Sequence, residues 1–203
     1  MCSGWRSVNY WYIIKKILKI EGNIVKLDFS LTYSPSEAYN EVGYHTTYSR
    51  YKDSIVENGF KVSSKSDDWL GEGVYFWDNE TNANWWKKSS NLLKRCIFIC
   101  DLSCSLVNYL NLDTDMKKFE TYLQDYMSSS FGKKLAKPKF KNTNECKKFY
   151  CDLYCSKNNI CILSFTFEHD NINKFGFKIG TIKRRQICVK EPKCISIASI
   201  KEG

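Results

Sequence analysis

The chain lacks the long apolar runs of a membrane protein: no stretch reaches the roughly 18 residues that a spanning helix needs. It also lacks a convincing secretory signal. The segment MCSGWRSVNYWYIIKKILKI is broken by Arg6, Lys15, Lys16 and Lys19 and offers no small-residue cleavage site. Both absences point to a cytoplasmic protein without a membrane partner. Histidine is scarce, with only His45 and His169. The ten cysteines form no Cys-x-x-Cys pair. Cys96, Cys100 and Cys104 are spaced by four, as are Cys151 and Cys155, and neither histidine lies near a cysteine pair. This spacing argues against zinc, so no metal is expected. Reduced, buried thiols are the expectation instead. Internal repeats and low-complexity linkers are lacking too.

What is present suits a single globular domain with a small N-terminal extension. Of 203 residues, 43% are hydrophobic and 15% aromatic, enough for a real core. Net charge is +9, which favours acidic partners, nucleic acid first among them. The densest basic groups are Lys133, Lys134, Lys137, Lys139 and Lys141, then Lys183, Arg184 and Arg185. A solvated basic loop is the plainer explanation of such runs, and nucleic-acid contact the functional one.

Apolar spacing predicts an amphipathic helix over 5–19, packed on the domain, and a strand over 24–32. Residues 1–40 are therefore read as an N-terminal helix and strand packed on a main domain at 41–203. Within that domain a short strand is expected at 42–46, a helix at 48–58 capped by Gly59, and a strand at Val74–Trp77. A helix at 79–93 follows, capped by Asp78 or Asn79, and then a buried strand at 95–102. Helices near 115–128 and 144–157 form a helical insertion around 103–158. Strands are expected at 160–167, 176–182, 186–190 and 194–200. Helices early and strands late argue for an α+β fold rather than repeated βαβ units.

The stretch DDWLGEGVYFW, residues 67–77, is the most telling. Gly71 and Gly73 precede Val, Tyr, Phe and Trp without a break. Glycines there imply a tight turn or a close approach of a ligand to the backbone. By strand alternation Val74 and Phe76 face the core and Tyr75 faces the other way, toward a ligand.

Three pieces recur in a familiar order. They are Tyr44-His45-Thr46-Thr47 before a helix ending at Gly59-Phe60; Gly71-Glu72-Gly73-Val74-Tyr75-Phe76 before a helix carrying Ala83 and Trp86; and the late strand Gln186-Ile187-Cys188-Val189-Lys190. Together they resemble the ADP-ribosyltransferase superfamily, in its poly(ADP-ribose)-polymerase-like branch. The resemblance spans roughly residues 42–200. It implies a split β-sandwich with flanking helices, and NAD+ as the substrate. It implies that His45 bonds the adenosine ribose, that Thr46 and Thr47 meet the nicotinamide amide, and that Tyr75 and Trp86 sandwich the nicotinamide ring beside Gly73. Gln186 stands where the family has its catalytic Glu, which makes His45, Tyr75 and Gln186 the catalytic set.

Three departures qualify the resemblance. Thr46 replaces a Gly, Ala83 stands where the polymerases often have Ser, and Gln186 replaces Glu. A Gln can hold a ribose hydroxyl, yet it has no charge for an oxocarbenium ion and takes no proton. The resemblance therefore implies single transfers of ADP-ribose rather than chain growth. The acceptor is expected to be a macromolecule, RNA favoured over protein, with a small basic toxin and a partner antitoxin as the analogy. Candidate bases are Glu191, Asp78, Glu72 and the pair Asp67–Asp68. The alternatives are a catalytically silent nucleotide- or RNA-binding module, and an NAD-dependent RNA 2′-phosphotransferase. The second would need another His where Tyr75 stands.

Overall fold

A computed structural model of the chain describes residues 37–65, 68–89, 94–130, 140–172 and 174–202. The chain divides into Met1–Ser34 and Pro35–Gly203, and everything below concerns the second part. The helix expected at 5–19, the strand expected at 24–32 and most of the lysine-rich loop at 133–141 lie outside the described residues.

The described chain is a mixed α/β fold with seven strands and four helices. The strands are β1 (Ala38–Tyr48), β2 (Val74–Trp77), β3 (Arg95–Ser105), β4 (Tyr109–Asn111), β5 (Ile162–Ile172), β6 (Lys178–Val189) and β7 (Ile195–Glu202). The helices are α1 (Lys52–Asn58), α2 (Glu80–Ser89), α3 (Leu112–Ser128) and α4 (Thr143–Asn158). The sheet order is β4-β5-β6-β2-β1-β3-β7, and only β4·β5 is a parallel pair.

Register divides this sheet into two blocks. β2 pairs along its whole length with β6, from Val74↔Val189 to Trp77↔Gln186. β1 pairs along its whole length with β3, from Ala38↔Ser105 to Tyr48↔Arg95. Between β1 and β2 there is a single register pair, Tyr44↔Trp77. Beyond that pair the strands diverge and leave a fork in the middle of the sheet. The blocks are thus β4-β5-β6-β2 and β1-β3-β7, joined at one point within one continuous sheet.

Period-2 alternation sends the buried residues to both faces. One face carries Val74, Phe76, Phe98, Ile162, Ile187 and Val189, closed by Phe60 and by Ile55 of α1. Phe98 has no exposure and Phe76 has 1%. Burying each such side chain is worth about 1.5–3 kcal/mol. The other face is covered in two places. α3 and α4 bring Phe119, Tyr154 and Cys155 onto Leu163 and Cys188. α2 brings Ala83 onto Trp77 and Ile97.

The segment 103–158 is therefore not an appendage of helices. It supplies edge strand β4 and the two helices that close half of one face. Asn111 caps α3 by accepting from the Asp113 amide (3.0 Å), and the Asp113 carboxylate accepts from the Thr166 amide (3.0 Å) and hydroxyl (2.7 Å). That clamps the start of α3 to β5. The strand expected at 42–46 runs from 38 to 48, so a domain boundary at 40 would cut it. The two strands expected at 176–182 and 186–190 are one strand, β6, in a long hairpin with β5. The nine described cysteines are all unpaired thiols. No described helix is long and apolar enough to cross a membrane.

Of the two reasons expected for the glycines before β2, the tight turn applies to Gly71, and close packing within the chain adds a third. Gly71 has φ +88°, and a Cβ there would run into the Asp152 carboxylate and the Lys190 ammonium. A Cβ on Gly73 would press on the Cys188 thiol and lie 2.9 Å from the Val189 carbonyl oxygen. Gly73 thus lets the chain lie close on β6, and Gly71 lets the loop close on Asp152 of α4 and on Lys190; close packing of the chain on itself requires both. Gly73→Ala is expected to cost about 1–3 kcal/mol by overpacking, read as a lowered urea midpoint. Unchanged stability with impaired ligand binding would instead mean that Gly73 serves the ligand.

Candidate functional site

The fork between β1 and β2 opens into a cavity of about 610 Å3. That lies within the range of about 300–1,000 Å3 usual for small-molecule sites. β1 lines it with His45, Thr46, Thr47 and Tyr48; β2 and its leading loop with Gly73, Tyr75 and Trp77; α2 with Trp86; and β6 with Gln186. Every residue expected to meet the cofactor therefore borders one space.

His45 spans the fork. Its Nδ1 lies 2.8 Å from the Tyr75 carbonyl oxygen. A carbonyl only accepts, so Nδ1 carries the proton and Nε2 keeps its lone pair. The ring packs edge-on against Phe60 (centroids 5.1 Å) and lies 5.6 Å from Phe76. Burial pushes the imidazole pKa below its ordinary value, and the Tyr75 carbonyl opposes only part of that shift. At neutral pH the ring is uncharged: a donor toward Tyr75 and an acceptor on its other side.

Tyr75 is held at its far end. Its hydroxyl donates to the Gly71 carbonyl (2.7 Å) and accepts from the Leu70 amide (3.0 Å). Burial raises the phenol pKa well above its ordinary range, so the hydroxyl stays protonated. The loop that holds it is itself pinned. Lys190 donates to the Leu70 carbonyl (2.6 Å) and to the Asp152 carboxylate (2.9 Å), and Asp152 accepts from the Glu72 amide (2.8 Å). Two further bonds, Ser63 N–H to the Gly73 carbonyl and Gly73 N–H to the Ser63 carbonyl, fasten the loop to the segment after α1. The ring of Tyr75 is thus a fixed wall of the cavity.

The Thr46 side chain is turned to a structural task. Its hydroxyl donates to the Ala83 carbonyl (3.0 Å), tying β1 to α2. Ala83 is fully buried between Trp77 and Ile97, so no polar group is presented from that position. On its β2 side, β1 has no strand partner after Tyr44 among the described residues. Alternate residues of 45–48 therefore turn N–H and C=O toward the fork, as groups that need a partner. Trp86 is 45% exposed and lies 6.2 Å from Trp77 between ring centroids, an aromatic surface open to the cavity.

The carboxylates sort clearly. Asp68 lines the cavity and accepts from the Ser63 hydroxyl (2.7 Å) and the Lys65 amide (2.6 Å). Asp67 lies outside the described residues. Asp78 does not line the cavity; it accepts from the side-chain amides of Asn79 and Asn82 (2.8 and 3.0 Å). Asn79 caps α2 through the Asn82 amide (2.8 Å). Glu72 pairs with Lys148 at 3.4 Å. Glu191 pairs with Lys193, which lowers its pKa, and stands away from the cavity lining. Among the described residues, Asp68 is thus the one candidate base within the cavity.

The run Lys183-Arg184-Arg185 does not form the exposed basic patch expected. Arg184 is buried, with its guanidinium 3.8 Å from the Trp85 ring centroid. Arg185 pairs with Glu41 and donates to the hydroxyls of Tyr109 (2.7 Å) and Ser164 (3.2 Å). Only Lys183 reaches solvent, beside Glu168 at 3.0 Å. Alternation along β6 sends 184 and 185 to opposite faces, and each finds a partner on its own face.

The sequence reading missed Trp69, Arg95, Lys61, Lys65, Ser63 and Asn144, all of which line the cavity. Trp69 packs on Phe167 with centroids 4.7 Å apart. Among the described residues no cluster of His, Cys, Asp and Glu is placed to hold a metal ion. Compared with models of known protein families and with curated proteins, the chain matches none.

The lowered pKa of His45 has a sign that can be checked. An unfolded His takes its proton near pH 6.5, while the folded ring resists it. Stability is complete above that pH and falls as pH drops below it, by up to about 1.4 kcal/mol per pH unit until the lowered native value is reached. Urea unfolding at pH 7 and pH 5 should show a larger loss for the wild type than for His45→Gln. Equal losses would mean that His45 titrates normally.

Proposed function

We propose that the chain is an NAD+-dependent mono-ADP-ribosyltransferase of the poly(ADP-ribose)-polymerase-like branch, with the fork as its cofactor site. The observation that carries this reading is the gathering of His45, Thr46, Thr47, Gly73, Tyr75, Trp86 and Gln186 around one cavity. These residues come from four elements far apart in sequence. The split between β1 and β2 fits the split sandwich of that superfamily.

The chemistry asks the site to hold a pyridinium flat, grip the ribose and admit an acceptor. Tyr75 and Trp86 offer aromatic faces to the pyridinium, worth about 0.5–2 kcal/mol for each good contact. The unpaired backbone edge of β1 offers donors and acceptors to the carboxamide. His45 Nε2 accepts from a ribose hydroxyl, because its Nδ1–H is committed to Tyr75. The ribose–nicotinamide bond breaks with its electron pair leaving on nicotinamide. The acceptor attacks the sugar carbon and loses a proton, for which Asp68 is the carboxylate available among the described residues of the cavity. Gln186 holds a ribose hydroxyl without supplying charge. That favours single transfers, and it also keeps alive the reading of a silent NAD-binding module.

RNA remains the favoured acceptor on net charge and on the lysines near 133–141. Arg184 and Arg185 no longer contribute to that preference. A small cytoplasmic toxin neutralised by an antitoxin is the biological setting this reading suggests.

The test is incorporation of label from adenylate-labelled NAD+ into separated RNA, DNA and protein pools. Wild type is expected to label one pool. His45→Ala and Tyr75→Ala should each cut labelling at least about tenfold. No label in any pool, with NAD+ still bound, would overturn the transferase and leave the binding module.

A further inference from the structure

Arg95 opens β3 opposite Tyr48 and is only 7% exposed. Its guanidinium carbon lies 4.7 Å from the Tyr48 ring centroid. Its Nε has no hydrogen-bond partner, and no carboxylate pairs with it among the described residues. Arg184 is alike in burial, in its unpartnered Nε and in its aromatic contact with Trp85, but it does not line the cavity, and Arg185 has Glu41 and two hydroxyls; Arg95 is the under-compensated guanidinium at the cavity wall. A buried charge left uncompensated is strongly unfavourable, and Arg guanidinium is built to take two oxygens of a carboxylate or phosphate.

Arg95 also lines the fork cavity. Lys61 and Lys65 line it as well, against a single carboxylate among the described residues, Asp68, which already accepts from the Ser63 hydroxyl and the Lys65 amide. The described lining therefore carries two positive charges in excess, while His45 stays neutral.

We propose that Arg95 is the anchor for a diphosphate group of the bound ligand, with Lys61 and Lys65 supplying the remaining charge. In terms of the proposed function, on which this identification of the ligand rests, the diphosphate is that of NAD+. The guanidinium at the cavity wall is the group that the phosphate oxygens satisfy; its Nε is enclosed by the protein and marks how little compensation the charge has in the free state. In the free protein Arg95 costs stability, and the ligand returns it.

Calorimetric titration of the full chain with ADP, adenosine and NAD+ tests this, using wild type, Arg95→Met and Arg95→Lys. Wild type should bind ADP about 10- to 100-fold more tightly than adenosine, the worth of one or two charge-assisted hydrogen bonds. Arg95→Met should lose that preference and, free of ligand, melt at a higher temperature than wild type. Arg95→Lys should keep part of the preference, because it keeps the charge and loses the fork geometry. An ADP preference that survives in Arg95→Met would overturn the anchor, as would a lower melting temperature for that variant. NAD+ binding equally to wild type and Arg95→Met would overturn the anchor and leave the cofactor reading standing. ADP binding that depends on Arg95, with no NAD+ binding by wild type, would support the anion site and overturn the dinucleotide as its ligand.

Discussion

The site depends on one divergence of backbone. β1 and β2 touch at Tyr44↔Trp77 and then separate, each already fully paired on its other side. A sheet that opens in its middle exposes backbone donors and acceptors, which is costly unless something satisfies them. His45 meets part of that demand by donating across the gap to the Tyr75 carbonyl. Its size and its neutrality both matter. A charged ring in this apolar setting, against Phe60 and Phe76, would be unfavourable, and a smaller side chain would leave the gap unbridged.

The rest of the molecule holds the two sides of the fork at fixed positions. Phe76 and Phe98 lock the blocks together from one face. α2 is tied to β1 by Thr46 and to β2 by the packing of Ala83 on Trp77. The loop before β2 is held by Lys190 and Asp152, and that loop in turn holds the Tyr75 hydroxyl. An aromatic wall, a neutral imidazole and a surplus of cations then face one another across a space of about 610 Å3. An anionic ligand with a flat ring satisfies all three at once.

Much of this was legible in the sequence because it follows from local pattern. β2 falls at Val74–Trp77 as expected, since a run of bulky apolar residues after glycines has few other uses. α4 and β3 match their apolar spacing to within a few residues. The pairing of strands was not legible, and the misreadings share that cause. Gly73 looked like room for a ligand alone, and it also makes room for β6. Arg184 and Arg185 looked like one surface patch, but they alternate into two separate sets of contacts. Arg95 was only the first residue of the buried strand expected at 95–102, with no role assigned to it. Only the register that sets it beside Tyr48, at the end of the fork, brings it into the cavity.

The most direct test of the fork as the ligand site is hydrogen–deuterium exchange with and without NAD+. The alternate amides of 45–48 that face the fork rather than β3 should exchange readily in the free protein and slow on addition of NAD+. Those of Ser63–Tyr75 should slow with them, and the tip of the β5–β6 hairpin should not change. Protection confined to other parts of the chain, or none at saturating NAD+, would contradict the assignment of the fork as the cofactor site.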